Sequence, residues 1–367
     1  MNRARILSVV GARPNFIKLA PVERALARRG DVEHVVVHTG QHYDDVMSGT
    51  FFHELDLAPP QYNLGVGSGT PGRQIAGIMC RFEPICAELR PDIVLVYGDV
   101  NSTLAATLVA AKLGFRVGHV EAGLRSDDWT MPEEANRLLT DVVSDLLFAP
   151  SRDAVERLVR EGVSAHKIHF VGNVMIDTLV QVLPRARALD APARHGVPAG
   201  RYVVATLHRP SNVDRPDALR EILEALATIG REMPVIFPVH PRTRARLGVA
   251  GLEPSANSAL RLVAPLGYLE MLGLVAAAAV VVTDSGGLQE ETSYLGVPCL
   301  TVRPNTERPI TCTMGTNRLV EPDAEVIVEA ARAHLRPGAR CGAKIERWDG
   351  DAAERIAKVL LDGAVYG

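Results

Sequence analysis

The sequence predicts an α/β protein built from two similar-sized, doubly wound domains. Three observations carry this. At 367 residues the chain has room for two domains of ordinary size. Short β-branched runs alternate with longer amphipathic stretches, which is the βαβ rhythm. The strands read as continuous apolar runs, the mark of a parallel sheet covered by helices on both faces. The rhythm then restarts midway, so each half forms its own sheet.

In order, residues 5–10 read as the first strand and 17–29 as a helix ended by Gly30. Residues 33–39 are the second strand, 73–89 a helix, 93–97 a strand, 102–113 a helix and 116–120 a strand. After Gly172 the strands are 202–206, 235–239, 260–263, 280–283 and 299–302, with helical patterns between them. Residues 179–200, rich in Ala, Arg and Pro, carry no strand signal, and the hinge is expected at 172–177. The longest apolar stretch, 272–282, is too short to span a bilayer. Its four consecutive alanines followed by Val280-Val281-Val282 suit a helix end feeding a buried strand. Residues 352–361 read as a short amphipathic helix.

With 47% hydrophobic and 23% charged residues, the chain can bury an ordinary globular core. Its net charge of −3 advertises neither nucleic-acid nor membrane binding, so any bound anion depends on local donors. The five cysteines are odd in number and form no CxxC pair, which argues against a disulfide framework or a zinc site. Buried thiols in a reducing cytoplasm are the expectation. The apolar run at 1–10 is too short for a signal peptide, and the cations Arg13 and Lys18 come soon after it.

Four segments carry chemistry. Gly11-Ala12-Arg13-Pro14-Asn15-Phe16-Ile17-Lys18 comes directly after the first strand and lacks the GxGxxG fingerprint of dinucleotide sites. It sets Arg13 and Lys18 around a strand-to-helix turn, where backbone N–H groups and the helix dipole favour an anion. A capped turn with two solvated cations reads equally well. Thr283-Asp284-Ser285-Gly286-Gly287-Leu288-Gln289-Glu290-Glu291 comes after a Val-rich strand. Asp284 or Ser285 can cap a helix, and Gly286 and Gly287 let a phosphate reach backbone N–H groups. Glu290 and Glu291 would repel phosphate, so a carboxylate here suits sugar hydroxyls, as an acid does for ribose. Stabilising the helix N-terminus is the plainer alternative.

The third set is carboxylates. Asp99 comes after Tyr97-Gly98, Glu121 after His119-Val120, and Glu133 and Glu134 lie in Pro132-Glu133-Glu134-Ala135-Asn136-Arg137. Acids straight after apolar strands sit at the edge of a parallel sheet where ligands bind. Singly, each reads as a helix cap. Grouped on one edge, they repel one another, raise the pKa of at least one and provide an acid and a base. The fourth set, Thr206-Leu207-His208-Arg209-Pro210-Ser211-Asn212 and Pro238-Val239-His240-Pro241-Arg242, ends two second-half strands. His208 can donate to phosphate or shuttle a proton. No HxH or HExxH spacing supports a metal, and His42, His53 and His119 are too scattered to form a site. Asp44-Asp45 reads as a solvated loop.

Together these segments resemble the non-hydrolysing UDP-N-acetylglucosamine 2-epimerases. The resemblance rests on residues 11–18, Thr39-Gly40-Gln41-His42, Tyr97-Gly98-Asp99, His119-Val120-Glu121-Ala122-Gly123-Leu124-Arg125, 132–137, Gly172-Asn173, His208-Arg209, 238–240, 283–291 and Thr306-Glu307-Arg308-Pro309. They run in family order from the first strand to about residue 320.

The resemblance implies two Rossmann-like domains facing across a cleft, the GT-B or glycogen-phosphorylase-like arrangement, with the C-terminal helix crossing back. Residues 1–172 with 352–367 would carry the catalytic carboxylates, and 173–351 would bind UDP. It implies reversible C2 epimerisation of UDP-N-acetylglucosamine to UDP-N-acetylmannosamine. A base removes the C2 proton while UDP leaves C1, giving a 2-acetamidoglucal, and UDP re-adds with a proton delivered to the other face. No NAD, metal or other cofactor is implied. Asp99, Glu121 and Glu133 match the family's catalytic acids and His208 its catalytic histidine. Arg13, Ser285, Gly286 and Gly287 are placed for the diphosphate and Glu291 for the ribose; Lys18, Arg137 and Arg308 match further active-site cations. Some members carry a second, regulatory UDP-sugar site, matched here by Gln41, His42 and His240. A cytoplasmic homodimer is the family expectation, with a UDP-sugar as partner and neither nucleic acid nor membrane.

The chain departs from the pattern at Ser126-Asp127-Asp128-Trp129-Thr130-Met131 and after His208, where members often carry Arg-Arg-Glu. These departures bear on substrate and regulation. Rival readings are a 2-epimerase of a modified UDP-sugar such as a diacetamido-uronic acid, a hydrolysing 2-epimerase, and a glycosyltransferase on the same fold.

Overall fold

The computed structural model describes residues 3–41, 52–252, 259–335 and 342–361. The expected roles of His42 and of Asp44-Asp45 lie outside these residues. The chain divides into two units, residues 1–181 with 346–367, and residues 182–345.

The first unit runs β1 (Ala4–Val10), α1 (Arg13–Ala27), β2 (Val32–His38), β3 (Tyr62–Asn63), α2 (Pro71–Leu89), β4 (Ile93–Tyr97), α3 (Asn101–Lys112), β5 (Arg116–Val120), α4 (Pro132–Val143), β6 (Leu146–Ala149), α5 (Arg152–Arg160) and β7 (Ile168–Phe170). These strands form a parallel sheet in the order β3-β2-β1-β4-β5-β6-β7. The order reverses between β1 and β4, and ligands of doubly wound sheets bind at the carboxyl ends there. The turns that leave these two strands carry residues 11–18 and Gly98-Asp99.

Helix α1 starts at Arg13, four residues before the apolar period announces it. Pro14 lies in the first turn, where a missing N–H costs no intrahelical bond. The Asn15 side chain accepts from Gly11 N at 3.1 Å and Ala12 N at 3.0 Å, and donates to the Tyr97 carbonyl at 2.8 Å. That last bond ties the β1 turn to the end of β4.

The unit boundaries differ from the sequence expectation of 172/173 and 351/352. Helix α6 (Val174–Ala188) runs unbroken through the expected hinge, because its Ala- and Leu-containing pattern continues as helix. Residues 346–351 belong with the first unit. Arg152 pairs with Glu346 at 2.8 Å, and Trp348 Nε1 donates to the Pro150 carbonyl at 3.0 Å. The terminal helix Ala352–Leu361 packs on α1, and Asp177 caps its start by accepting from Ala352 N and Ala353 N at 3.1 and 2.7 Å.

The second unit runs β8 (Val203–Thr206), α7 (Pro216–Gly230), β9 (Val235–Pro238), α8 (Pro241–Ala250), β10 (Leu260–Val263), α9 (Tyr268–Ala276), β11 (Val280–Thr283), α10 (Gly286–Leu295), β12 (Cys299–Val302), β13 (Asn317–Val320) and α11 (Ala324–Leu335). Its parallel sheet is ordered β10-β9-β8-β11-β12-β13, with the reversal between β8 and β11. The central strands β8, β11 and β12 are almost wholly buried because both faces are covered, whereas the edge strands β10 and β13 each expose an arginine, Arg261 and Arg318. Val203, Val280 and Val282 pack with Leu226 and Ile327 on one face, while Val204 and Val281 pack with Leu274 and Leu288 on the other. The helix-to-strand reading of 272–282 holds, with α9 ending at Ala276 and β11 opening at Val280.

Candidate active site

At the end of β5, Glu121 takes the left-handed φ of +76°. There it forms an ion pair with Lys18, both side chains being 5% exposed. The floor beneath the pair is Gly98, at φ +64°. A Cβ on Gly98 would lie 2.8 Å from Lys18 Nζ and 3.2 Å from Glu121 Oε2. Glycine is therefore needed both for the left-handed backbone and for the room. Lys18 is thus buried against a carboxylate, so of the two readings left open for this turn the solvated cation does not hold at Lys18.

Asp99, next in sequence, is half-buried and pairs with Arg137 of α4. Arg137 is oriented from behind by Glu134, whose Oε2 accepts from Arg137 Nε at 3.1 Å and Nη2 at 2.6 Å. Glu134 also accepts from Ser126 N and Oγ and from Asp127 N, at 3.0, 2.8 and 3.0 Å. Burial alone would raise the Glu134 pKa; the Ser126 and Arg137 hydrogen bonds outweigh it and hold the group below the ordinary glutamate value. Glu133, one position earlier, is exposed on the first turn of α4. The two adjacent acids therefore divide. Glu134 builds the loop and aims the arginine, and Glu133 stays open to solvent. Arg13 is half-buried on the first turn of α1.

In the second unit the Asp284 carboxylate is fully buried and gathers the end of β8. It accepts from His208 N at 3.1 Å, Arg209 N at 2.9 Å and Asn212 Nδ2 at 3.1 Å. His208 Nδ1 lies 2.8 Å from Asp284 Oδ1. Burial would raise the Asp284 pKa, but His208 and the backbone donors win and lower it. Holding Nδ1–H on Asp284 leaves Nε2 as the lone-pair nitrogen of a ring that is 45% exposed. Asp284 thus acts across the β8–β11 reversal and does not cap its own helix; Ser285 is the residue at the N-cap of α10.

Ser285, Gly286 and Gly287 are half-buried at the start of α10. A Cβ on Gly286 would sit 2.6 Å from Arg308 Nη1, so the missing side chain admits a guanidinium against the helix N-terminus. Arg308 pairs with Glu290 at 3.0 Å and with Glu307 at 3.4 Å. Glu307 also binds Arg303 at 2.8 Å and Arg209 at 3.1 Å. Burial opposes its ionisation, yet these arginines drive its pKa far below the ordinary value. Glu291 is buried against the Tyr268 hydroxyl at 3.0 Å. Burial raises its pKa to about 7; the tyrosine bond offsets part of this and Glu290 adds to it.

Of the residues matched to a regulatory site, Gln41 is buried, and its Oε1 accepts from Ser102 N and Oγ at 3.1 and 2.6 Å. That contact ties the β2 end to α3. His240 is exposed, with its ring 6.4 Å from that of His208. A cavity of about 220 Å³ in the first unit, bounded by Arg24, Asp177 and Glu354, contains none of the sequence-selected site residues. Among the described residues, no group of three or more His, Cys, Asp or Glu is arranged to hold a metal ion.

Sequence reasoning overlooked Asp141, Tyr268 and Arg303, and gave no role to Asn15 and Glu307, which lie in segments it singled out. A signal existed for Asp141, since Glu134, Arg137 and Asp141 recur at i, i+3 and i+7 and so form one polar stripe on a helix.

A family model described as UDP-N-acetylglucosamine 2-epimerase matches residues 24–361. A UDP-N-acetylglucosamine 2-epimerase of Methanococcus maripaludis is 42% identical over 89% of this chain and 91% of its own. A UDP-2,3-diacetamido-2,3-dideoxy-D-glucuronate 2-epimerase of Pseudomonas aeruginosa is 41% identical over 97% of this chain and 99% of its own. The crystal structure of Methanocaldococcus jannaschii UDP-GlcNAc 2-epimerase in complex with UDP-GlcNAc and UDP superposes with a TM-score of 0.91 at 41% identity, covering 98% of this chain and 100% of that one.

Proposed function

The chain belongs to the UDP-N-acetylglucosamine 2-epimerase family, and we propose that it interconverts UDP-N-acetylglucosamine and UDP-N-acetylmannosamine by eliminating and re-adding UDP, without net hydrolysis. The observation that carries this reading is the pair of neighbouring strand ends, β4 and β5, each delivering one carboxylate oriented by its own cation: Asp99 by Arg137 and Glu121 by Lys18. Inverting C2 requires one group to take a proton from one face and another to return a proton on the other. We assign that work to Asp99, Glu121 and Glu133, with His208 as the further proton-transfer group, supported by its Asp284 partner. For UDP, the N-terminus of α10 with Ser285, Gly286, Gly287 and Arg308 suits the diphosphate, and Glu291 suits the ribose hydroxyls.

Incubation with UDP-N-acetylglucosamine in D2O, followed by NMR, tests the reading. Deuterium at C2 with accumulation of the manno epimer supports it. Release of free N-acetylmannosamine and UDP would move the enzyme to the hydrolysing type. Transfer of sugar to an acceptor without C2 exchange would sink the epimerase assignment.

A second reading is favoured by the 41% identity to the Pseudomonas aeruginosa enzyme, namely epimerisation of a UDP-2,3-diacetamido-uronic acid. Running the same D2O experiment with that sugar, and comparing kcat/KM, decides between the two substrates. We further read the protein as a cytoplasmic homodimer. Support comes from the free thiols at Cys80, Cys86, Cys299 and Cys312. It comes also from Trp129, Leu139 and Val142, large apolar side chains that are 73%, 49% and 73% exposed in and just before α4 and would be suited to burial against a second copy. Sedimentation of the wild type and of Val142→Glu tests the dimer.

A further inference from the structure

His119 lies fully enclosed near the β4 and β5 ends, with no exposure at all. Its strand pairs with β4 so that Val96 faces His119, which brings the imidazole beside the turn that leaves β4. Nε2 lies 2.8 Å from the Gly98 carbonyl, and Nδ1 lies 2.6 Å from Asp141 Oδ1. Both neighbours are acceptors. A neutral imidazole has only one N–H, so it satisfies one contact and sets a lone pair against the other.

Asp141 is tied in from α4 and is itself buried. Its Oδ2 accepts from Arg125 Nη1 at 2.7 Å and from Gly123 N at 3.1 Å. Burial would raise its pKa, yet His119 and Arg125 outweigh that and lower it. Arg125 continues to Glu161, through Nε at 3.1 Å and Nη2 at 2.7 Å. The series Glu161–Arg125–Asp141–His119 therefore ends on one backbone oxygen, that of Gly98.

That oxygen matters because of what the Gly98 peptide carries. Gly98 N donates to the Val120 carbonyl at 3.0 Å, so the residue is held from both sides. Its Cα is the floor of the Lys18–Glu121 pair, and its carbonyl leads directly into Asp99. We propose that His119 is a positioning residue, carrying hydrogen on both ring nitrogens with Asp141 as its counter-ion, and that it fixes the Gly98 peptide from which Asp99 and Glu121 take their places. The inference rests on the epimerase reading for what those two acids do, but not for the state of the ring.

Two measurements test it. The first is the ¹⁵N spectrum of the His119 ring in the full-length protein at neutral pH, assigned by its disappearance in His119→Gln. A doubly protonated ring is expected, and a neutral ring overturns the proposal. The second is steady-state turnover of UDP-N-acetylglucosamine by His119→Phe, His119→Gln and Asp141→Asn. A displacement of about 1 Å in a reacting group costs on the order of 100-fold. His119→Phe and Asp141→Asn should therefore lose about that in kcat, with the Kd for UDP changed by less than about threefold. His119→Gln keeps one donor near the Gly98 carbonyl and should recover part of kcat. If His119→Phe does not fold, Asp141→Asn and His119→Gln carry the comparison. Unchanged kcat, or an equal loss of kcat in all soluble variants regardless of the remaining donor, overturns the positioning role. Absence of C2 exchange in the wild type refutes the epimerase reading instead, and the ring spectrum still decides the state of His119.

Discussion

The Lys18 ammonium and the Glu121 carboxylate form an ion pair whose side chains are each 5% exposed. Removing one partner leaves the other charge buried, which costs about 3–5 kcal/mol in comparable pairs. Glu121→Gln should accordingly lower the unfolding free energy by about 3 kcal/mol, read from denaturant midpoints at constant m. It should also reduce kcat by about 10²–10⁴-fold, the contribution of a positioned acid or base. Adding Lys18→Met to Glu121→Gln removes the orphaned charge and should restore most of the stability. Activity should stay lost; its return with stability would show that Glu121 only holds the fold.

Gly98→Ala tests the same place from the backbone side. The new Cβ would stand 2.8 Å from Lys18 Nζ at φ +64°. The left-handed backbone costs a non-glycine residue about 1–2 kcal/mol, and Lys18 must swing off Glu121 as well. A fall in Tm accompanied by a large loss of kcat is expected, with UDP affinity kept. Normal kcat in a folded Gly98→Ala protein would mean that the pair need not sit over that glycine.

How far the sequence foretells this arrangement depends on the element. Strands 93–97, 116–120, 260–263, 280–283 and 299–302 have the bounds read from the sequence; 93–97, 280–283 and 299–302 are buried along their whole length, while 116–120 and 260–263 keep their register despite Arg116, His119 and Arg261. β3, β6, β7 and β13 escape a sequence reading. β3 and β7 are two and three residues long, too short to show a period; β6 and β13 are as long as 260–263, and β13 opens on Asn317 and Arg318 instead of an apolar run. Helix α4 misleads in another way. It buries Glu134, Asn136, Arg137 and Asp141 and exposes Leu139 and Val142, so the usual rule that the apolar face is inside points the wrong way round. Asp99 and Glu121 stand out as acids after apolar strands. Nothing local separates Glu133 from Glu134, which differ only by the 100° turn between adjacent helical residues. Asp284 reads, with Ser285, as one of two candidate caps for its own helix, and Ser285 takes the N-cap position. The Asp284 carboxylate turns instead to His208 and Arg209, and seeing that requires the β8–β11 pairing, which joins residues far apart in sequence.

Arg308 leans over the start of α10 in the space that Gly286 leaves. Gly286→Ala should push the guanidinium away by its Cβ, 2.6 Å from Nη1, at little cost to the helix, since alanine is the better helix former. If Arg308 and the α10 N-terminus hold the diphosphate, UDP affinity should fall about tenfold, a loss in the range of one charge-assisted hydrogen bond. Arg308→Ala should do the same, and the two together should not add, because both remove one contact. Isothermal titration with UDP reads all three. Additive losses would separate Gly286 from Arg308.

Glu291 titrates near pH 7 because it is buried, with Glu290 adding to the rise and the Tyr268 hydroxyl opposing it. The unfolded chain releases this proton near the ordinary pKa of 4.5. From about pH 4.5 to 7 the folded state therefore binds more protons than the unfolded state, and stability falls as pH rises; above about pH 7 the loss is complete. A separation of about 2.5 pKa units corresponds to about 3 kcal/mol. Glu291→Gln should remove that slope and be the more stable protein above pH 7, provided the amide keeps its bond with Tyr268. The ligand reverses the sign. If ribose hydroxyls donate to Glu291, UDP prefers the ionised carboxylate, so UDP binding should tighten as pH rises from 6 to 8 and release a proton. Titrations in buffers of different ionisation enthalpy would detect that proton, and Glu291→Gln should abolish both the release and the pH dependence. A UDP affinity that is flat across this range in the wild type would remove Glu291 from the ribose and leave it as a buried acid paired with Tyr268.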